Sequence, residues 1–174
     1  MLFNALLLLC RRGSLALGAL MVVLMPLPAL ADCTDAAAPG VEWRRCYQDG
    51  RDFAAADLTG AQLRDASFTR ANLVRANFAG ADAYGAKFNS AEIAGASFAG
   101  ARVAEADFSE ADLTGAIFSK ADLRGAKLVA ADLRGADFSG ANLRGADFFR
   151  ARLGGALWTD GKTRCAETSI GQCN

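Results

Sequence analysis

Ala131-Asp132-Leu133-Arg134-Gly135, Ala136-Asp137-Phe138-Ser139-Gly140, Ala141-Asn142-Leu143-Arg144-Gly145: three consecutive five-residue units repeat one pattern. The register extends well beyond them. Alanine stands at position 56 and at every fifth position to 156, 21 alanines without an exception. Two residues after each alanine sits an apolar residue, from Leu58, Leu63 and Phe68 to Phe148, Leu153 and Trp158, larger than alanine everywhere but at Ala83. Asp or Asn commonly stands between the two, and Gly commonly closes the unit. On an α-helix a step of five turns about 500°, so the alanines would spiral over every face instead of forming a stripe. A straight strand has a period of two, which five does not fit. Ala and the central residue point to one side of an extended stretch, and the remaining residues must turn the chain, a task suited to Gly. A chain that turns every five residues with its apolar side always inward closes into a coil, a β-solenoid.

Side-chain sizes suggest the number of units per coil. Phe recurs at 68, 78, 88, 98, 108, 118, 138 and 148, with Leu128 filling the gap, and aliphatic residues stand between. Four units per coil stack Phe in two opposite columns, Phe78-Phe98-Phe118-Phe138 and Phe68-Phe88-Phe108-Leu128-Phe148, and fill a narrow interior with large and small side chains. Two units per coil would fit the alternation but leave too little room for Phe. The alanines Ala81, Ala86 and Ala106 and the central residues Phe88, Phe108, Leu113 and Phe118 are expected inside, and Arg124, Lys127 and Arg144 outside. Ala83, in a central position, is expected to leave a small void.

The A(D/N)Lxx units over about residues 53–160 resemble the pentapeptide-repeat proteins. The resemblance implies an all-β, right-handed quadrilateral β-helix with four units per coil. Departures at the Asp/Asn position (Lys87, Arg102, Ile117, Lys127, Arg152 and Leu157) then point outward. The 21 units make about five coils.

The flanks leave the register. Arg11 and Arg12, the apolar run Leu15–Leu27, Pro26 and Pro28, and Ala29-Leu30-Ala31 follow the order of a secretory signal peptide over 1–31, cleaved between Ala31 and Asp32. The competing reading is an uncleaved membrane anchor, for which the 13-residue run is short against the ~20 needed to span a bilayer. Residues 32–52 and 161–174 read as end caps over the exposed interior and strand edges. Val41–Gln48 is expected to form one or two helical turns that place Trp43 on the first coil, and Trp158 is expected to plug the far end. Cys33, Cys46, Cys165 and Cys173 remain after Cys10 leaves with the leader, and four cysteines in an exported chain read as two disulfides. About five coils at ~4.8 Å per rung hold the caps roughly 25 Å apart, beyond the reach of about 7 Å between bridged Cα atoms. The expected pairs are Cys33–Cys46 and Cys165–Cys173.

Composition narrows the function. The 174 residues carry 19 Lys+Arg, 19 Asp+Glu and no His. Losing Arg11 and Arg12 leaves 17 positive against 19 negative charges, a net of −2, which does not favour a polyanion binder held by bulk charge. Without His, with Ser at repeat corners or in the tail, and with a Cys165/Cys173 spacing foreign to redox motifs, catalysis lacks its machinery. No catalytic residue, cofactor or metal is assigned. The reading is a non-catalytic, secreted (periplasmic or extracellular) structural or protein-interaction module, without nucleic acid and, once the leader is cleaved, without membrane. Its candidate partner contact is Val129, Phe149 and Arg150 near the C-terminal end, with the tail and Ile170 expected to fold back over it. One alternative is cation binding by a ladder of Glu92, Asp112 and Asp132 with Glu110 alongside. A neighbouring column, Lys87-Asp107-Lys127-Asp147, alternates in sign and needs no ion. The other alternative is the DNA-mimic, gyrase-protecting role of some family members, which calls for a strongly acidic rod.

Overall fold

A computed structural model describes residues 33–174, so the leader, with its arginines and its cleavage site, lies outside the described residues. From Glu42 to Leu157 the chain is tied to itself by parallel β-bridges between residues 20 apart, beginning with Glu42↔Gln62 and ending with Asp137↔Leu157. Four bridges five residues apart make each coil four-sided. We number the sides by their first occurrence: side 1, 41–45; side 2, 46–50; side 3, 51–55; side 4, 56–60.

Every backbone donor of a unit has a distinct assignment, which explains why the period is five. Taking 121–125, the N–H of Ala121 donates to Phe118 O (3.0 Å), closing a turn. The N–H of Asp122 donates down to Ala101 O (2.9 Å), and those of Leu123 and Gly125 donate up to Asn142 O (2.9 Å) and Arg144 O (3.1 Å). The remaining N–H, of Arg124, is taken by the side chain of Asp122 at 3.3 Å. The same bond recurs where Thr59 N donates to the Asp57 carboxylate, Thr114 N to Asp112 and Ser139 N to Asp137. Asp and Asn are therefore favoured at the outward second position because a short side-chain acceptor there satisfies a donor that no neighbouring coil can reach. The turn bonds residue i to i+3 with a positive φ at the third residue, as in a type II turn. Every fifth residue from 40 to 155 has positive φ, filled by Gly in many units and by residues such as Asp65, Lys120 and Arg150 in others.

The interior is layered. Ala81, Ala86 and Ala106 and the central Phe88, Phe108, Leu113 and Phe118 are buried, while Arg124, Lys127 and Arg144 are exposed, as their register positions predict. Side 2 stacks Phe68, Phe88 and Phe108 with centroids 5.3 and 4.8 Å apart. Side 4 stacks Phe78, Phe98, Phe118 and Phe138 at 4.6, 5.1 and 5.4 Å, and the rings of both columns are nearly parallel. The two columns meet edge to face, as for Phe98 and Phe108 at 5.6 Å and 86°, both favoured geometries for aromatic pairs. Phe98 and Phe118 share a side, which confirms four units per coil. Ala83 is fully buried between Leu63 and Val103 of its own column.

Two expectations for the ends are corrected. The stretch 41–48 forms no helical turn: Glu42 and Tyr47 bridge to Gln62 and Ser67 in the ordinary coil geometry. Coiling thus begins at 41 and not at 53, and 41–160 at 20 residues per coil makes six coils where five were expected. Trp43, Gln48 and Phe53 take central positions, and Cys46 occupies an alanine position. Gln48 is wholly buried, its amide donating to Cys33 O (2.9 Å) and accepting from Arg51. Only 33–40 remain as a cap, bonded through Cys33–Cys46, with Cα atoms 5.3 Å apart.

At the other end the tail reverses direction. Arg152↔Ile170 and Leu157↔Arg164 pair antiparallel, and Cys165 is bonded to Cys173, with Cα atoms 4.8 Å apart. Gly154 lets the tail pass, since a Cβ there would lie 2.6 Å from the carbonyl oxygen of Glu167. The reversal is set by Asp160, whose carboxylate accepts from the hydroxyl of Thr163 (2.6 Å) and the N–H groups of Thr163 (2.8 Å) and Lys162 (2.9 Å). These bonds, the Thr163 hydroxyl first, hold its pKa down from 3.8 to about 2. A depressed pKa means that the turn's contribution is complete above the unfolded value and is lost as pH falls through about 2. A carboxyl-resolved NMR titration should place the Asp160 midpoint near 2; a midpoint near 3.8 would show that the turn does not hold it in solution.

Candidate functional site

The C-terminal corner between sides 2 and 3 is built by the unit 146–150, Ala-Asp-Phe-Phe-Arg. Phe148 turns inward and packs edge to face with Phe138 at 6.0 Å. Phe149 follows at the outward position, where its N–H donates to the Asp147 carboxylate at 2.9 Å and its carbonyl accepts from Ala130 N at 2.8 Å. That last bond sets Val129 and Phe149 one rung apart, with Val129 half-buried. Arg150 occupies the left-handed corner at φ 59° and lays its guanidinium over the Phe149 ring, 5.0 Å from the centroid. The tail does not cover this corner. Phe149 is 60% and Ile170 63% exposed, because the tail spends its backbone bonds on 151–158 and carries Ile170 past Arg152, not over Phe149.

The carboxylates of the acidic ladder do not converge. Glu92, Asp112 and Asp132 stack on side 3 as successive bridge partners, but Asp132 is held by Arg134 (2.8 and 2.7 Å) and by Arg152 (3.1 Å). The bond from Arg134 is the main reason its pKa is lowered. Glu110 sits apart at a corner and accepts from the Ser90 hydroxyl at 3.1 Å. Among the described residues no group of three or more His, Cys, Asp or Glu side chains is placed to hold a metal ion. In the alternating column Asp107 is bonded by Ser109 at 2.6 Å. Although partial burial pulls the other way, the bonds from Ser109 and Asn89 and the charge of Lys127 keep its pKa low.

A cluster on side 1 escaped the sequence reading. Tyr84 lies between Arg64 and Arg102, whose guanidinium carbons are 5.2 and 4.9 Å from its ring centroid, and both arginines approach Asp82, at 3.9 and 3.5 Å. Its signal is the 20-residue step, which sets 64 beneath 84 and 82 beneath 102. No helix among the described residues is long and apolar enough to cross a membrane.

Comparison with known proteins bears on this geometry. The family model "Pentapeptide repeats" matches in eight copies over residues 52–89, 91–128 and 126–156, more than half of the chain. No curated protein sequence matches. Among solved structures, a pentapeptide repeat protein from the Arabidopsis thaliana thylakoid lumen is 34% identical, over 66% of this chain and 70% of that one, with a TM-score of 0.34. HetL from Nostoc sp. strain PCC 7120, a pentapeptide repeat protein involved in heterocyst differentiation regulation, is 25% identical over 71% and 68%, with a TM-score of 0.30. QnrB1, a plasmid-mediated fluoroquinolone resistance protein, is 25% identical over 69% and 71%, with a TM-score of 0.38. With the matched span lying inside the coils that the backbone bonds define, the chain belongs to the pentapeptide-repeat family.

Proposed function

We propose that the chain is an exported, non-catalytic protein-interaction module, a rod of right-handed quadrilateral coils whose C-terminal corner, Val129, Phe149 and Arg150, is the partner contact. The observation that carries this reading is Phe149, a large aromatic side chain left 60% exposed with Arg150 stacked on it; Tyr47, Ile117 and Ile170 are also exposed, but among the described residues none of them carries a stacked arginine. Exposed aromatic and Arg side chains are the residue types that most often anchor interfaces. Export is supported by the order of residues in the leader and by the two disulfides, which persist in an oxidising compartment. The cation-binding alternative gains nothing from an Asp132 already paired with two arginines.

Phe149→Ser tests the contact. The ring packs outside the coil, so the variant's thermal midpoint should stay within the small range typical of surface substitutions. Capture of a partner from the envelope fraction of the exporting cell by the mature protein should be lost. A marked fall in the midpoint would make Phe149 a structural residue, and undiminished capture would place the contact elsewhere.

A further inference from the structure

The C-terminal end of the rod is closed on two sides and open on the other two up to their last corner, where a Cβ on Gly171 of the tail would lie 3.6 Å from Phe148 O and 3.8 Å from Arg150 N. On sides 3 and 4 the tail takes the place of a next coil: Leu153 N donates to Ser169 O at 2.9 Å, Gly155 N to Cys165 O at 3.0 Å and Trp158 N to Thr163 O at 2.7 Å. On sides 1 and 2 the equivalent N–H groups of Leu143, Gly145, Phe148 and Arg150 meet no acceptor among the described residues, and the carbonyls of Ala141 and Ala146 meet no donor. One rung below, the same donors, on Leu123, Gly125, Leu128 and Ala130, are all bonded at 2.7–3.1 Å to the residues above. The interior also shows through at this end. Leu143, Ala146 and Phe148 are half-buried, where Leu123, Ala126 and Leu128 below them are fully buried.

We propose that this edge, 141–150, binds an extended, acidic segment of a partner polypeptide, which adds to the coil as its next two sides. The inference rests on the reading of the chain as an interaction module and names the partner's chemistry. The backbone pattern calls for an extended chain, since donors and acceptors at five-residue spacing are met only by a strand that continues the coil. Charge selects its composition. Arg144 and Arg150 flank the edge, and neither lies in a salt bridge among the described residues. Lys127 stands one rung below, and the only nearby carboxylate on this edge, Asp147, already accepts from Phe149 N. A second copy of this chain, set edge to edge about a two-fold axis, would bring the same two arginines against their own counterparts, so an acidic segment fits where a second copy does not.

The test uses a ten-residue peptide laid out in this register. Leu at its third and eighth positions would sit over Leu143 and Phe148, and Glu at its fourth and tenth over Arg144 and Arg150. In amide hydrogen exchange on the mature protein, the peptide should slow exchange at Leu143, Gly145 and Phe148 saturably, by about tenfold or more. Lys in place of both Glu should abolish the effect. So should Arg144→Glu with Arg150→Glu, a variant expected to fold because Glu110 already occupies an equivalent corner at φ 61°. Unchanged exchange with the acidic peptide, or protection of these amides in the isolated monomer, would overturn the proposal. Protection that rises with protein concentration alone, together with a dimer in sedimentation, would assign the edge to a second copy and overturn it as well. If a partner captured through Phe149 leaves these amides exchanging freely, the Phe149 contact stands and the edge proposal falls. If the peptide protects the edge while Phe149→Ser still captures its partner, the edge proposal stands and the Phe149 contact falls.

Discussion

Phe108→Ala should lower the stability of the mature chain by about 3–5 kcal/mol, read as a shift of the denaturant midpoint at unchanged slope. The ring is wholly buried at the centre of the rod. It stacks on Phe88 at 4.8 Å and meets Phe98 and Phe118 edge-on at 5.6 and 5.8 Å. Truncation removes its transfer free energy and leaves a cavity whose walls are tied by backbone bonds to the coils above and below, so collapse is restricted. Each coil is stabilised chiefly by its two neighbours, so a break in the middle separates the rod into two shorter stacks. A loss below about 1.5 kcal/mol, the scale of a conservative swap, would mean that the coils close over the gap and are not rigid.

Cys33→Ala together with Cys46→Ala should cost about 3 kcal/mol, the chain-entropy value for a loop near the 13-residue separation of this pair. The double variant isolates the cross-link, because Cys46 stands where other units have alanine and its replacement restores the repeat. The cap over Trp43 and Phe53 is otherwise held by few bonds, among them Gly40 N to Thr59 O at 2.8 Å and Gln48 to Cys33 O. Faster amide exchange should therefore be confined to 33–48. A loss spread evenly along the rod would instead show that the first coil nucleates all the others.

The sequence made the middle of the rod legible because there one residue type answers one geometric demand. A small inner position is filled by Ala in 21 consecutive units, which fix the register and, through the Phe columns, the number of sides. The same geometry continues from 41 to 55, where Val41, Cys46 and Arg51 stand at the alanine positions. The coil persists there because it is tied by backbone bonds to the coil above, which carry no side-chain signature, so a reading by residue type stops too early. The tail was harder still. That it pairs antiparallel on two sides and leaves Phe149 uncovered depends on the Asp160 turn and on Gly154, single residues outside any repeat. Tyr84 between its arginines was hidden differently: its partners are 18 and 20 residues away along the chain but adjacent across rungs.

The four-sided coil also makes chain length an angular coordinate. Deleting one five-residue unit rotates everything downstream by a quarter turn and drops Phe columns onto aliphatic ones, so the two halves no longer match in size. Deleting two keeps Phe over Phe but swings the C-terminal corner to the opposite side of the rod. Only steps of 20 residues, the bridge spacing, leave both the packing and the heading of Phe149 unchanged. Gain and loss of repeats in such a chain thus re-aim its end like a key cut to a new bitting, with the direction of the docking corner set by arithmetic modulo four units.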